Sequence, residues 1–351
     1  MPDSLNKTLI IRFSSVGDIV LSSLLVRTLR QRFPGVHIAF LLKSEYADLV
    51  RHNPHINQVI EFPSGGSLGD LLRLRRAIRA EHYDLIIDIH DSIRSRLLST
   101  AGRRAVRIDK RKIPRWLLVH LKRDMYAAFG GAPGVAERYL EAMEPWGVKD
   151  DGGGLELHVP PEVQERVGAM LRERGIRPGS RVIGICPSAR HGNKMWLKER
   201  FAETAAALAQ RYDAGVLVFG SAGEAARCGE IAAMTEKASP STRTLNLAGA
   251  LSLLESAAAM DHCDVVITND SGLMHIAAAR KRKVVAVFGP TVRQFGFFPF
   301  GTASTVVEHP SLPCRPCTHI GLPDCPEGHF RCMRELATET VLHATTELLE
   351  H

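Results

Sequence analysis

With 351 residues, of which 45% are apolar and 24% charged, the chain has the balance of a soluble globular protein and length for two domains that each bury a core. No apolar run reaches the roughly 20 residues of a membrane helix, and MPDSLNKTLIIRF carries no signal-peptide core or cleavage site, so a cytoplasmic protein is expected. A net charge of +7 favours an anionic partner but does not choose among nucleotide, phospholipid and nucleic acid.

The first strand is expected at TLIIRF. It runs into Ser14, Ser15, Val16 and Gly17, and an amphipathic helix opens at Asp18. No Gly-x-Gly-x-x-Gly follows, which removes the dinucleotide fingerprint and weakens any nicotinamide enzyme. At that place Asp18 is either a helix-capping acid or a general base, kept ionised by the helix N-terminus and ready to take a proton from an acceptor hydroxyl. Strands at HIAFLL, QVIEF and YDLIIDIH follow, with helices beginning near Ser44 and Leu68. Arg94 and Arg96 come next. From Arg103 to Arg123, nine Lys or Arg stand against the single Asp109, with Trp116, Leu117, Leu118 and Val119 in the middle. That composition suits an anionic membrane surface or an acidic glycolipid, and equally a half-buried helix with solvated basic ends.

The stretch KDDGGGLELHVPPEVQERV concentrates Gly, Asp and Pro and reads as the junction of two domains. The expected division is 1–155, a linker over 156–178, and 179–351. A second strand series follows at RVIGICP, AGVLVFG, TLNLAG, DVVITND and KVVAVFG, with helical stretches such as KERFAETAAALAQRY between them. Strand and helix alternating twice over predicts two α/β domains with parallel sheets, whose ligands bind beyond the carboxyl ends of the strands.

Three motifs of the second half fall at such ends. ICPSARHGNKMW places Ser188, Arg190 and Lys194 in a loop where a lysine can meet a diphosphate. VFGSAGEAAR places Glu224 where a carboxylate can accept ribose hydroxyls, or simply serve as a first-turn acid. VVITNDSGLMHIAAA breaks from strand to helix at Asp270, so Ser271, Gly272 and Leu273 would offer backbone N–H groups to a phosphate, with His275 one turn on. The plainer reading makes Asp270 or Ser271 an N-cap and His275 an ordinary helix residue.

Cys186, Cys228 and Cys263 read as small core residues. Cys314, Cys317, Cys325 and Cys332 lie in a Pro/Gly-rich loop. Their spacing is not that of a two-knuckle zinc site, and structural zinc, a labile disulfide and reduced packed thiols all stay open.

RFSSVGDIVLSS, YDLIIDIHDSIRSRLLS, CPSARHGNKMW, NLAGALSLLESAAAMDHCDVVITNDSGLMHIAAA and VFGPT, in this order over nearly the whole chain, resemble the ADP-heptose:lipopolysaccharide heptosyltransferases of glycosyltransferase family 9. The resemblance implies a GT-B fold, two Rossmann-like domains facing across a cleft. It also implies inverting transfer of heptose from ADP-L-glycero-D-manno-heptose to the lipopolysaccharide inner core, on Kdo or heptose, with no metal or other cofactor. The family's catalytic aspartate falls on Asp18. Its donor-binding residues fall on Asp270, Ser271, Gly272 and His275, its diphosphate lysine on Lys194, the hydroxyl residue before that on Ser188, and its ribose acid on Glu224. Arg94 and Arg96 suit the anionic acceptor, and a monomer working at the inner face of the inner membrane is expected. Two rivals remain: a nucleotide-sugar epimerase of the same architecture, and a non-catalytic nucleotide-sugar-binding protein in which Asp18 only caps a helix. No aromatic-basic module supports nucleic-acid binding.

Overall fold

Strands form where apolar residues run unbroken, because a parallel sheet between helices is buried on both faces. The computed structural model describes residues 4–351 and holds two such sheets, one in each of two units: Met1–Lys110 with Pro133–His158, and Arg111–Ala132 with Val159–His351. Both are Rossmann-like α/β units.

In the first unit, β1 (Lys7–Ile11), β2 (His37–Lys43), β3 (Gln58–Phe62), β4 (Leu85–Asp88) and β5 (Ala105–Arg107) pair in parallel in the order β3-β2-β1-β4-β5. Leu9, Ile11, Leu41, Ile86 and Tyr83 pack with Phe13 and Phe62 into its core. In the second unit, β6 (Val182–Cys186), β7 (Gly215–Val218), β8 (Thr244–Asn246), β9 (Val265–Asn269), β10 (Lys283–Phe288) and β11 (Ser304–Glu308) take the order β11-β10-β9-β6-β7-β8, again all parallel. The order reverses between β1 and β4 in one sheet and between β6 and β9 in the other, and at such switch points the loops part to leave a ligand crevice. The short edge strands β5 and β11 were not among the expected elements. Near Ser44 there is only a single 3-10 turn, Ser44–Tyr46, followed by one helical turn, Asp48–Arg51.

Two boundaries differ from the expected ones. The basic segment 111–132 leaves the first unit and folds with the second. Leu118 of its helix Lys112–Leu121 packs with Tyr126 against Phe295, and Lys122 Nζ donates to the carbonyls of Cys314 (3.0 Å) and Pro316 (2.6 Å). The stretch read as linker is also ordered. Arg27 grips the Asp151 carboxylate with two donors at 2.7 Å and Glu156 at 3.0 Å, which fastens the Gly-rich turn to the first unit. Pro161 then starts a helix, Pro161–Glu173, that packs on the helix Leu253–Met260 of the second unit. Proline at a first helical turn and the apolar spacing of Val163, Val167, Met170 and Leu171 are the local reasons for that helix.

Candidate functional site

At the switch point of the first sheet the chain leaves β1 through Arg12, Phe13, Ser14 and Ser15 and enters the helix Val16–Leu21. Asp18 is therefore the third residue of this helix and not its opening cap. Its Oδ2 accepts from the Ser15 amide (3.2 Å) and the Ser15 hydroxyl (2.9 Å), while Oδ1 meets Arg12 Nη2 at 2.6 Å. Arg12 in turn donates through Nη1 to the Ile89 carbonyl at 2.7 Å, so the guanidinium bridges the ends of β1 and β4. Burial by itself would push the Asp18 carboxyl up. The Arg12 charge and the Ser15 donors outweigh it, and Asp18 titrates below the ordinary carboxylate range. Burial likewise disfavours the charged guanidinium of Arg12, and the Asp18 charge reverses that, leaving Arg12 above its ordinary value.

The capping geometry is not special by itself. Ser67 with Asp70, Ser221 with Glu224 and Ser252 with Glu255 form the same reciprocal box. What sets Asp18 apart is a side chain only 15% exposed, joined to an arginine only 9% exposed. Arg12 was missed in the sequence, although a charge inside the apolar run LIIRF was itself a signal that a buried partner waits for it.

Beside Ser14 lies a cavity of about 360 Å³ lined by Phe13, Phe62, Lys43, His90, Ile93 and Arg94 among others. Phe13 meets Phe62 at 5.5 Å between ring centroids and His90 edge-on at 5.3 Å, which gives the cavity an aromatic wall. Burial, then the charges of Arg12 and Lys110, push the His90 imidazole down to about 4, so it is neutral at physiological pH. Of the two arginines expected here, Arg94 lines the cavity. Arg96 is held by Asp91 through Nε at 2.7 Å and Nη2 at 2.6 Å. Lys43, His90 and the two phenylalanines went unseen because they come from four separate strand ends, those of β1, β2, β3 and β4.

In the second unit, β6 and β9 are neighbours with Cys186 opposite Thr268, so the loops that follow them emerge side by side. This brings Lys194 Nζ to 2.6 Å from Asp270 Oδ2, both side chains nearly buried, and Thr291 Oγ donates to the same oxygen at 2.8 Å. The helix Gly272–Ala279 begins with Ser271 as its N-cap, in extended conformation and with no side-chain capping bond, so the first-turn amides at Gly272 and Leu273 take no bond from the cap side chain. His275 is buried one turn in, its ring 6.4 Å from that of Phe297. Ser188 is buried in the loop after β6. Glu224 stands after β7, but its Oε2 accepts from the Ser221 amide (2.7 Å) and hydroxyl (2.8 Å), the first-turn role weighed against ribose binding.

The lysine loop is strapped from outside by residues the sequence did not point to. Asn193 N donates to the Leu322 carbonyl at 3.2 Å, and Leu322 N donates to Asn193 Oδ1 at 2.9 Å. A methyl group on Gly192 would overlap the Pro323 carbonyl oxygen, so only glycine lets the two chains lie this close. Asn269 Oδ1 accepts from Trp196 N at 3.0 Å and ties the far end of the loop to β9.

The strap belongs to the cysteine-bearing loop. None of the seven cysteines is in a disulfide. Burial, then the neighbouring Cys317, push the Cys332 thiol up to about 12, with Cys325 and Cys314 adding to the rise, and burial followed by Cys325 and Cys314 raises Cys317. Among the described residues no three His, Cys, Asp or Glu side chains are placed to hold a metal ion.

Residues 71–324 match the model of glycosyltransferase family 9 (heptosyltransferase). The chain is 30% identical to lipooligosaccharide heptosyltransferase 2 of Haemophilus influenzae, over 97% of this chain and 99% of that one, and 29% identical to lipopolysaccharide heptosyltransferase 2 of Escherichia coli K12, over 98% of each. Among solved structures it superimposes on a family 9 glycosyltransferase from Veillonella parvula with a TM-score of 0.82 at 21% identity, covering 100% and 99% of the two chains. The E. coli ADP-heptose lipopolysaccharide heptosyltransferase II gives a TM-score of 0.72 at 23% identity, with 98% of each chain covered.

Proposed function

The chain belongs to glycosyltransferase family 9 and is a glycosyltransferase, and from that premise we propose that it transfers heptose from ADP-heptose to the inner core of lipopolysaccharide with inversion at the anomeric carbon. In this reading the second unit holds the donor. Lys194 turns from Asp270 toward the diphosphate, the amides of Ser271, Gly272 and Leu273 donate to its oxygens, His275 donates to a phosphate oxygen, and Ser188 and Glu224 reach the nucleoside side. As the glycosidic bond to ADP breaks, charge grows on the leaving diphosphate, and donors already in place stabilise it most in the transition state, without a metal.

The first unit holds the acceptor. Arg94 and Lys43 pair with its anionic groups, and a sugar ring lies along the Phe13 and Phe62 wall. Asp18 takes the proton of the attacking hydroxyl. A carboxyl held below its ordinary range is always ionised at neutral pH, and its proton transfer becomes favourable only as the hydroxyl oxygen bonds to carbon and turns acidic. Because the acceptor is anchored in lipid, the enzyme acts as a peripheral monomer at the cytoplasmic face of the inner membrane.

The observation that carries the reading is the Lys194–Asp270–Thr291 cluster beside an uncapped helix start at the switch point of the second sheet. The test is ADP release from ADP-heptose by purified protein, with and without core-truncated lipopolysaccharide ending in Kdo or in one heptose. Release that depends on one of these acceptors is expected. Conversion of the donor without any acceptor would make it an epimerase, and binding without turnover a carrier.

A further inference from the structure

The helix Lys112–Leu121 spends one face on the core. Pro114 and Leu118, one turn apart, are buried, and Leu118 packs with Tyr126 against Phe295. A surface helix with a buried stripe is normally polar on its other side. Here the outer face carries Ile113, Trp116 and His120 at successive turns, with Ile113 62% and Trp116 54% exposed. Leu121, Met125 and Phe129 continue the exposed apolar surface along the chain. The loop that Lys122 ties to the end of the helix, through the carbonyls of Cys314 and Pro316, adds Ile320, 56% exposed. Among the described residues nine large hydrophobic side chains are exposed, and five of them fall within 113–129. Concentration of this kind, unlike scattered exposed leucines, marks a surface that meets something apolar.

The charges around it decide what that is. From Arg111 to Arg123 there are five Lys or Arg and no acid. Asp124 is the one acid between Arg111 and Phe129, so a second copy of this chain laid face to face would set ten such cations against two acids. A bilayer containing anionic phospholipid offers both halves of the match. Its acyl boundary takes Ile113 and Leu121, its interface takes the amphipathic ring of Trp116, and its headgroup phosphates take the guanidinium and ammonium groups at the end of long apolar stems.

We propose that the outer face of the helix Lys112–Leu121 docks the enzyme on a bilayer rich in anionic phospholipid. The inference rests on the proposed function for its purpose, since docking brings the enzyme to the surface where a lipid-anchored acceptor resides. Its physical content does not need turnover.

The test uses the full chain and two kinds of vesicle, phosphatidylethanolamine with phosphatidylglycerol, and phosphatidylcholine alone. The protein should sediment with the first, release at high salt, and bind the second at least about tenfold more weakly. Its tryptophan emission should move to the blue on binding, and the shift reports Trp116, because Trp146 and Trp196 are buried at 8% and 0% exposure. The variant Ile113→Ser/Trp116→Ser should lose about tenfold or more in vesicle partition. It should keep its circular dichroism and ADP affinity, and transfer to a short acceptor freed of its lipid should stay within about twofold of the parent. Unchanged sedimentation of this variant, equal binding to both vesicles, or a parent dimer that dissociates in the variant would each overturn the proposal, the last by making the face a subunit interface. Loss of transfer to the lipid-free acceptor in a folded variant would also overturn it. An absence of transferase activity in the parent, with vesicle binding intact, would instead count against the proposed function alone.

Discussion

Replacing Asp18 by Asn leaves the Ser15 contacts possible but strips the charge facing Arg12, an arginine that is 9% exposed and has one guanidinium nitrogen on the Ile89 carbonyl. Breaking one partner of a buried ion pair costs about 3–5 kcal/mol, which for a unit of this size lowers the melting temperature by about 10 °C or more. If Asp18 is also the base, turnover falls by about 10²–10⁴-fold. Stability and chemistry are separated by the double variant Arg12→Met/Asp18→Asn. Removing both charges recovers most of the lost stability, while turnover stays at the level of the single variant. The assays are thermal unfolding by circular dichroism and acceptor-dependent ADP release. The reasoning fails on stability if Asp18→Asn melts with the parent. It fails on chemistry if either variant keeps more than about a tenth of parental turnover, for then the carboxylate is a cap and a counter-ion only.

Lys194→Met should weaken ADP-heptose use by about 10²–10³-fold in kcat/KM, read from initial rates, and an equally active variant would remove the lysine from the donor site. Gly192→Ala should displace the strap at Pro323 and carry the lysine loop with it; steady-state rates down by about tenfold with an unchanged melting curve are expected, and full activity would show that the contact is dispensable. His90 carries a pH signature. Its folded pKa of about 4 lies below the free value of 6.5, so the folded protein resists protonation, and stability falls as pH drops from 6.5 through 4 by up to about 3 kcal/mol. Denaturant unfolding across that range should lose this component in His90→Gln, whose difference from the parent also cancels the contributions of Asp18 and Asp88. The Cys332 thiol at about 12, against 9 for a free one, should alkylate about 10³-fold more slowly in the folded protein than in denaturant, followed by mass spectrometry.

What the amino-acid order determined by itself is whatever depends on neighbours within a turn or a strand. Unbroken runs such as DVVITN and KVVAVF dictated buried parallel strands, and the glycine and polar residues after them marked the ends where ligands bind. Asp18, Lys194, Asp270 and Ser271 were legible on those grounds, with the family pattern added. Tertiary structure alone decided who faces whom. An amphipathic helix such as Lys112–Leu121 states that it has an apolar face but not which sheet will cover it, and Phe295, 177 residues after Leu118, settled that. Arg12 with the Ile89 carbonyl, Lys43 with His90, and Asn193 with Leu322 likewise meet only because the folded unit brings distant loops together. Contacts of that range are set by the packing of the whole unit and leave no periodic trace in the chain.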